Sequence, residues 1–482
     1  MSEFLHLAPG RILPTRIMLH SMQATSPSLA GVDNANGVGA ATGITAAPTQ
    51  LIGYDRQHVM HGFTNLDRDL TPGPIFQSGK GIRLVDVEGN EWLDGCAGQA
   101  NVSLGYGRDE LADVAAATLK SLTFGTHFYH NRSHVWASQL ADRLAHITPS
   151  GIDQFFYGVG GSDAVETAIK IARFSNITNG RPDKIHIIGR MNSYHGVSYG
   201  GASMTGDHAM WSNIGPLLSG FSHISQPENG SVGSASALEE EILRVGPEKV
   251  AAFLAEPIST PNGLYCPPDD YWPQIREICD RYDILFIADE VLCGVGRTGR
   301  MFAIERWNVS PDIITISKAI TAGYFPLSVV GVTERVRSAL SSSGEKFVHG
   351  VTNGGHPAAC AVALATFDIM EREDVVGQAV RGGNYFAQQL ANLADSQQIL
   401  DKSTARSTGM MVAINLKLDE YGDEFGVRVH EEFARRRVLV RSYRNNRTIG
   451  FLPALTIEKQ DIDAIVERVA DSIDATRASL GI

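Results

Sequence analysis

The chain has few cysteines and no long apolar run. Five of its 482 residues are cysteines, an odd number without a C-x-x-C pair. Such scattered thiols argue against a disulfide scaffold and a zinc site, and they fit a reducing compartment. No apolar run approaches the roughly 18 residues that a membrane-spanning helix needs, and the first residues lack the apolar stretch of a signal peptide. We therefore predict a cytoplasmic protein with no metal site.

Positive charge is also in short supply. The 41 Lys and Arg residues are outnumbered by 53 Asp and Glu residues, which gives a net charge of −12. A binding surface for nucleic acid or for an anionic membrane is therefore not expected. Hydrophobic residues make up 43% of the chain, enough for a large core, and the 49 glycines indicate many tight turns.

The composition changes along the chain. Residues 24–49 consist mostly of Ala, Gly, Ser, Thr, Asn and Pro, so we predict an N-terminal extension over residues 1–57. This extension is either loosely draped or an arm that packs on a partner subunit or over a site entrance. Between residues 184 and 332, short apolar runs alternate with amphipathic helices, which predicts an α/β fold with a mostly parallel sheet covered on both faces. After residue 358, helices with a few strands indicate a second, α+β domain.

Two predicted buried strands are followed by charged residues. The run Ile284–Ala288 leads into Asp289, and the run Ile313–Ile316 is followed by Ser317 and Lys318. Ligands of α/β sheets bind beyond the carboxyl ends of the strands. The carboxylate could hold a metal, act as a base, pair with a cationic ring nitrogen or simply cap the strand. A desolvated lysine can form a Schiff base, and pyridoxal phosphate enzymes need both such a lysine and an acidic partner for the ring nitrogen.

Two further patterns fit a phosphorylated, aromatic cofactor. The glycine-rich segment 158–163 leads into a predicted helix, whose first N–H groups can bind a phosphate, although a plain turn is the alternative. Tyr194 precedes His195 and Gly196, and its ring can stack on a flat heterocycle, although a lone Tyr-His pair is more often structural.

Taken together, these residues resemble the class III aminotransferases, which are pyridoxal phosphate enzymes of fold type I. The matching segments are 160–170, 194–196, 255–257, 288–299, 317–319 and 349–360, and the resemblance runs from about residue 58 to the C-terminus. One departure is Gly160, which stands where the family usually has a serine. The resemblance implies a large cofactor domain at residues 116–365, with a mostly parallel seven-stranded sheet flanked by helices. A smaller α+β domain would combine residues 58–115 with residues 366–482.

The resemblance also implies roles for individual residues. Lys318 would be the Schiff-base lysine and the general base, and Asp289 would pair with the ring nitrogen of the cofactor. Thr352 would reach the phosphate in the neighbouring subunit, which implies a homodimer, and a tetramer built from such dimers stays open. The other implied cofactor-binding residues are Gly161, Ser162, Tyr194, His195, Glu256 and Val291.

Within the family, the motifs look closest to the amine:pyruvate, or omega, transaminases. The implied reaction moves an amino group from a primary amine or omega-amino compound to a keto acid such as pyruvate, or aminates an aldehyde or ketone in reverse. Ala100 aligns where a tryptophan is common, which implies tolerance of bulky substrates, and Phe128 and Tyr129 would line the pocket entrance.

Three arginines are candidates for binding the substrate carboxylate. Arg441 matches the family position after a short insertion, and Arg444 and Arg447 are alternatives. The same cofactor residues also serve amino-acid decarboxylases and aminomutases, which are the alternative function. A cofactor-binding regulator would need a basic helical DNA-reading module, and the N-terminal extension contains no such helix.

Overall fold

The computed structural model describes residues 46–66, 73–129, 131–212, 214–227 and 235–482. The chain forms two compact units, Met1–Pro72 and Gly73–Ile482. In the first unit, the described residues form one helix, α1 (Pro48–His58), with proline in its first turn, where the missing N–H costs nothing. Residues 1–45, most of the predicted N-terminal extension, lie outside the described residues.

Fifteen strands lie in the described part of the second unit. In chain order they are β1 (Phe76–Lys80), β2 (Arg83–Asp86), β3 (Glu91–Asp94), β4 (Ile152–Gly158), β5 (His186–Arg190), β6 (Phe221–Ile224), β7 (Val250–Ala255), β8 (Leu285–Asp289), β9 (Ile313–Ile316), β10 (Ser328–Thr333), β11 (Leu400–Thr408), β12 (Met411–Leu416), β13 (Val438–Leu439), β14 (Arg441–Tyr443) and β15 (Thr448–Phe451).

The largest sheet has seven strands in the order β4-β10-β9-β8-β7-β5-β6. Strand β10 is antiparallel to both of its neighbours, and the pairs from β9 to β6 are parallel. Every residue of β7, β8 and β9 is buried, as continuous apolar runs in a sheet covered on both faces should be. The predicted α/β fold with a mostly parallel seven-stranded sheet is thereby confirmed.

The helices of the second unit pack against this sheet and against two smaller sheets. They are α2 (Asp109–Ser121), α3 (Val135–Ile147), α4 (Gly161–Thr178), α5 (Tyr199–Met204), α6 (His208–Trp211), α7 (Ser236–Val245), α8 (Tyr271–Arg281), α9 (Glu334–Ser341), α10 (Pro357–Arg372), α11 (Val375–Ser396), α12 (Leu418–Tyr421), α13 (Asp423–Arg435) and α14 (Lys459–Leu480). Two 3₁₀ turns, Ala303–Trp307 and Lys318–Thr321, follow β8 and β9. Among the described residues, no helix is long and apolar enough to cross a membrane.

Two smaller sheets complete the second unit. Their strand orders are β1-β2-β3-β13 and β11-β12-β15-β14. Strand β13 pairs in parallel with β3, with Val438 opposite Leu93, so segments far apart in the sequence share one sheet. This pairing also brings the start of β14, one residue beyond β13, close to the segment that follows β3.

Candidate active site

All of the predicted cofactor-binding residues except Thr352 lie at one edge of the seven-stranded sheet. Each lies just beyond the carboxyl end of a strand, where α/β sheets bind their ligands. Gly161 and Ser162 follow β4, Tyr194 and His195 follow β5, Glu256 follows β7, Asp289 ends β8 and Lys318 follows β9. The strand-end rule that singled out two of these positions in the sequence therefore applies to five strands.

Asp289 is a buried carboxylate with only 4% of its surface exposed. Its Oδ1 accepts hydrogen bonds from the Thr315 hydroxyl at 2.8 Å and from the Val291 N–H at 3.1 Å. Its Oδ2 lies 2.7 Å from Nδ1 of His195. Burial alone would raise the pKa of Asp289, but the hydrogen bonds and the charge of His195 outweigh it and keep this pKa below its usual value. Asp289 is therefore ionised at neutral pH.

His195 lies between two carboxylates. Its Nδ1 faces Asp289, its Nε2 is 3.5 Å from Oε2 of Glu256, and its backbone N–H donates to the Thr205 hydroxyl at 2.8 Å. Burial would lower the pKa of His195, but the charges of Glu256 and Asp289 raise it above the usual value. Because an ionised carboxylate only accepts hydrogen bonds, Nδ1 carries a hydrogen.

Glu256 holds the segment that carries Tyr194. Its Oε1 accepts the Tyr194 N–H at 3.1 Å, and its Oε2 lies 3.4 Å from Nη2 of Arg190. Arg190 also donates to the backbone oxygen of Glu256, and its guanidinium lies 5.1 Å from the ring centre of Trp272. We did not predict a role for Arg190 from the sequence. The rule that singled out Lys318 would have found it, because Arg190 also ends a buried apolar strand.

Lys318 is half-buried at the start of its 3₁₀ turn. Its backbone is left-handed, with φ of 48°, an uncommon and strained conformation for a residue with a side chain. Burial lowers the pKa of Lys318, the Asp289 charge opposes this change, and the Arg441 charge adds to the lowering. A lysine with a lowered pKa has a larger fraction of free amine, which is the form that attacks carbonyl carbon.

The start of α4 presents a place for a phosphate. Among the described residues, the N–H groups of Gly161 and Ser162 have no acceptor, because Asp163 caps only Val159 and Gly160, at 2.8 and 3.2 Å. These free N–H groups at the first turn of an 18-residue helix favour an anion. A Cβ atom added at Gly160 would meet nothing within 4 Å, so there is space for a β-carbon where the family usually has a serine.

Close packing fixes the residues beside this phosphate position. A Cβ atom at Gly161 would lie 2.8 Å from Cγ1 of Val291, so only glycine lets α4 begin this close to the end of β8. Gly196 has φ of 102°, and a Cβ atom there would lie 2.5 Å from the Ser162 hydroxyl. Val291 and the segment after Tyr194 therefore both contact the helix start.

The predicted substrate side begins at an unusual turn. Residues 97–100 all have positive φ, and the Asp94 carboxylate anchors the turn by accepting the N–H groups of Cys96 at 2.9 Å and Gly98 at 2.8 Å. Ala100 is only 1% exposed and belongs to an apolar cluster within the core. Gln99, which we did not predict, is the exposed residue with a side chain at this turn.

The other predicted entrance residues lie at the surface of the single chain. Phe128 packs so close to Gly350 that a Cβ atom at the glycine would lie 2.4 Å from the ring. Tyr129 is 82% exposed, and Thr352 is also exposed. No contact in the described part of the chain joins Thr352 to Lys318 or to the start of α4.

The structure separates the three candidate arginines. Burial lowers the pKa of Lys318 and raises the pKa of Tyr194. The charge of Arg441 on β14 adds to the lowering at Lys318 and opposes the rise at Tyr194. Arg447 instead forms a two-pronged ion pair with Asp419, both contacts being 2.9 Å. The guanidinium of Arg444 lies 5.6 Å from the ring centre of Tyr265. Among the described residues, Arg441 has no carboxylate partner of its own.

Comparison with known proteins decides the family. The family described as aminotransferase class-III matches residues 68–473. The chain is 35% identical to the putrescine–pyruvate aminotransferase of Pseudomonas aeruginosa, over 88% of this chain and 96% of that protein. It is 34% identical to the diaminobutyrate–2-oxoglutarate transaminase of Halomonas elongata, over 89% and 97%. This chain belongs to the class III aminotransferases.

Structural comparison agrees with this assignment. The (S)-enantioselective omega-transaminase of Thermomicrobium roseum superposes on the aminotransferase with a TM-score of 0.84 at 35% identity, covering 90% of this chain and 99% of that one. Class III aminotransferases depend on pyridoxal phosphate. The residues of this aminotransferase fit the group. The free N–H groups at Gly161 and Ser162 suit its phosphate, the buried charge of Asp289 suits a protonated ring nitrogen, and Lys318 supplies an amine.

Proposed function

We propose that this aminotransferase takes the amino group of a primary amine or an omega-amino compound and gives it to a keto acid such as pyruvate. In reverse it would aminate an aldehyde or ketone. The observation that carries the proposal is Arg441, a guanidinium close enough to lower the pKa of Lys318 and without a carboxylate partner among the described residues. It suits the carboxylate of a keto acid by paired, charge-assisted hydrogen bonds. A relative named for pyruvate and one named for 2-oxoglutarate both have acceptors that carry a carboxylate.

The proposed chemistry gives each side chain a task. Bound pyridoxal phosphate supplies an electron sink that lets the substrate Cα lose its proton. Lys318 would take this proton as a general base and would return it as a general acid to the C4′ carbon of the cofactor. Asp289 keeps the ring nitrogen protonated through its charge. Val291 and Tyr194 are the proposed contacts of the two ring faces.

The substrate side of the proposal concerns size. Ala100, with Phe128 and Tyr129 at the entrance, is proposed to leave room for a bulky amine or carbonyl compound. Support comes from the small side chain at a position that β3 and its anchored turn hold in place. Gln99 adds a polar group at the exposed side of the same turn.

We also propose a homodimer in which Thr352 reaches the neighbouring active site. Tyr129 and Thr352 are exposed in the single chain, so a partner subunit can cover both. The smaller domain is proposed to combine residues 58–115 with 366–482, and the pairing of β13 with β3 supports this division from the large domain at 116–365. The five free cysteines fit the proposed reducing cytoplasm.

A half-reaction screen tests the proposed function. The purified enzyme, loaded with pyridoxal phosphate, is mixed with single amines while the visible absorbance of the bound cofactor is followed. We expect a primary amine to remove this absorbance and pyruvate to restore it, with one alanine formed per cycle. Release of carbon dioxide from an amino acid, without any aminated product, would instead indicate a decarboxylase.

A further inference from the structure

Four buried charged side chains form a row that ends at Asp289. Arg190 lies 3.4 Å from Glu256, Glu256 lies 3.5 Å from His195, and His195 lies 2.7 Å from Asp289. The most exposed of the four side chains shows only 8% of its surface. The row starts against Trp272 in the core and ends at the edge of the sheet where the cofactor residues meet.

The protonation of His195 decides whether the charges in this row alternate. With a neutral imidazole, two buried carboxylates would share a single cation, Arg190. With an imidazolium, the charges alternate as plus, minus, plus and minus, and every neighbouring pair attracts. The Nε2 atom is buried and has no well-aligned hydrogen bond, but Glu256 is its nearest charged neighbour at 3.5 Å. A lone pair there would be repelled by the carboxylate, whereas an N–H is attracted.

The remaining groups around His195 do not replace Glu256. Thr205 contacts only the backbone N–H of His195. The pKa of His223 is lowered, mainly by burial, so this nearby imidazole adds no positive charge at neutral pH. Lys318 acts on Asp289 rather than on His195. Glu256 is therefore the second carboxylate that keeps His195 charged.

We propose that Glu256, held by Arg190, is a positioning residue that acts through His195 to keep Asp289 ionised where the ring nitrogen of the cofactor binds. This inference rests on the proposed role of Asp289. It also assigns a role to Arg190, which holds the Glu256 carboxylate beside His195, although the charge of Arg190 itself opposes a raised pKa of His195.

The variant Glu256→Gln removes the negative charge of the side chain and keeps its shape. Glutamine keeps an oxygen that can accept the Tyr194 N–H, so the segment under the ring stays anchored. The matched control is Glu290→Gln, which changes the buried carboxyl next to Asp289 in sequence. Burial raises the pKa of Glu290 to about 8, so this group carries little charge at pH 7, and it faces the Ile304 N–H rather than His195.

The measurement is the protonation of the ring nitrogen. Each variant is loaded with pyridoxal phosphate labelled with ¹⁵N in the ring, and the ¹⁵N chemical shift is followed between pH 5 and pH 9. We expect Glu256→Gln to move the titration midpoint of the ring nitrogen to lower pH by about one unit or more. Glu256→Asp, which keeps the charge, should restore part of the shift, and Glu290→Gln should match the wild type. An unchanged midpoint in folded Glu256→Gln would overturn the inference.

Two further variants separate this inference from the proposed function. In a His195→Asn background, Glu256→Gln should cause no additional shift, and a full additional shift would mean that Glu256 does not act through His195. Asp289→Asn should leave the ring nitrogen unprotonated. If it stays protonated there, the proposed role of Asp289 itself fails. If Asp289→Asn changes the protonation of the ring nitrogen but Glu256→Gln does not, the proposed role of Glu256 is wrong and that of Asp289 stands.

A measurement on the wild-type protein needs no Glu256 variant and so covers the case in which that variant does not fold. With ¹⁵N-labelled histidine, the imidazole signal that disappears in His195→Asn should show both ring nitrogens protonated at pH 7. A neutral imidazole at that pH would contradict the proposal.

Discussion

The two sides of the active site are built differently. On the cofactor side, Asp289, His195 and Glu256 are buried, and each carboxylate or ring has a charged neighbour within 3.5 Å. On the substrate side, Tyr129 and Thr352 lie open to solvent, and Arg441 has no carboxylate partner among the described residues. One chain therefore supplies the paired charges of the proposed cofactor side, whereas we propose that a ligand and a second subunit complete the substrate side.

Because of this difference, we expect different residues to determine the reaction rate and the choice of substrate. The cofactor side depends on buried charges, where loss of one partner leaves the other unpaired and costly. The substrate side includes exposed residues such as Tyr129, where side chains can change with little effect on the fold, and it also includes the buried Ala100. We therefore expect substitutions on the cofactor side to change the rate, and those on the substrate side to change the choice of substrate.

The largest effect is expected for Lys318→Ala. This change removes the proposed proton carrier and the amine that holds the cofactor, so turnover of an amine with pyruvate should fall by about four orders of magnitude. The visible absorbance of the lysine-bound cofactor should disappear as well. Lys120→Ala, at the exposed end of α2, is the matched control and should behave as wild type. Normal turnover in the Lys318 variant would refute its assignment.

The second largest effect is expected on the buried cofactor side, at Asp289. Asp289→Asn keeps the shape but removes the charge that faces the ring nitrogen, so kcat should fall by about 10²- to 10³-fold while the cofactor stays bound. Both quantities are read from steady-state kinetics and from the absorbance of the dialysed protein. A kcat close to that of wild type would show that the charge of Asp289 is dispensable.

Much of the buried cofactor side was predictable from the sequence, because a charged residue after an apolar run is easy to recognise. Asp289 and Lys318 follow apolar runs that the sequence indicated as buried strands, and both runs are buried strands in the structure. Arg190 also ends a buried strand, so the same rule would have marked its position. Its pairing with Glu256 was not predictable, because Glu256 lies 66 residues away and no local pattern joins the two. The left-handed backbone of Gln99 and Ala100 was missed for another reason, because it runs against the preference of both residues. The Asp94 carboxylate anchors the same turn through the N–H groups of Cys96 and Gly98, and no sequence pattern announced this.

The third effect concerns the unpartnered arginine. Arg441→Ala should raise the KM for pyruvate by about 10- to 100-fold, since a charge-assisted, paired contact is lost. The half-reaction with an amine that has no carboxylate should change little. Arg447→Ala is the matched control, because its guanidinium is already bound by Asp419. Equal effects of the two variants would remove Arg441 from the substrate site.

The fourth effect measures pocket size. Ala100→Trp should lower kcat/KM for bulky amines about tenfold relative to small ones. Because Ala100 is only 1% exposed, the same change should also lower the free energy of unfolding by about 1–3 kcal/mol. Gln99→Trp puts the ring one residue earlier, on the exposed side of the turn, and should cost less stability. An unchanged ratio between bulky and small amines in Ala100→Trp would show that this position does not line the pocket.

The smallest effect decides whether Thr352 contacts the cofactor phosphate of its own subunit or that of the neighbouring subunit. Thr352→Ala removes one hydroxyl contact, so pyridoxal phosphate should bind about three- to tenfold more weakly. A mixed dimer of one Thr352→Ala and one Lys318→Ala subunit then has a single active lysine, in the subunit that lacks the threonine.

If Thr352 reaches across, that single site receives the intact threonine of the partner and should bind the cofactor with wild-type affinity. If Thr352 serves its own subunit, the same site keeps the weakened affinity of the Thr352→Ala homodimer. The dependence of activity on cofactor concentration distinguishes the two cases, because only the site with Lys318 turns over. Weak affinity in the mixed dimer would mean that one chain completes its own phosphate site, and the contrast between the two sides of the site would then rest on the amine and keto-acid contacts alone.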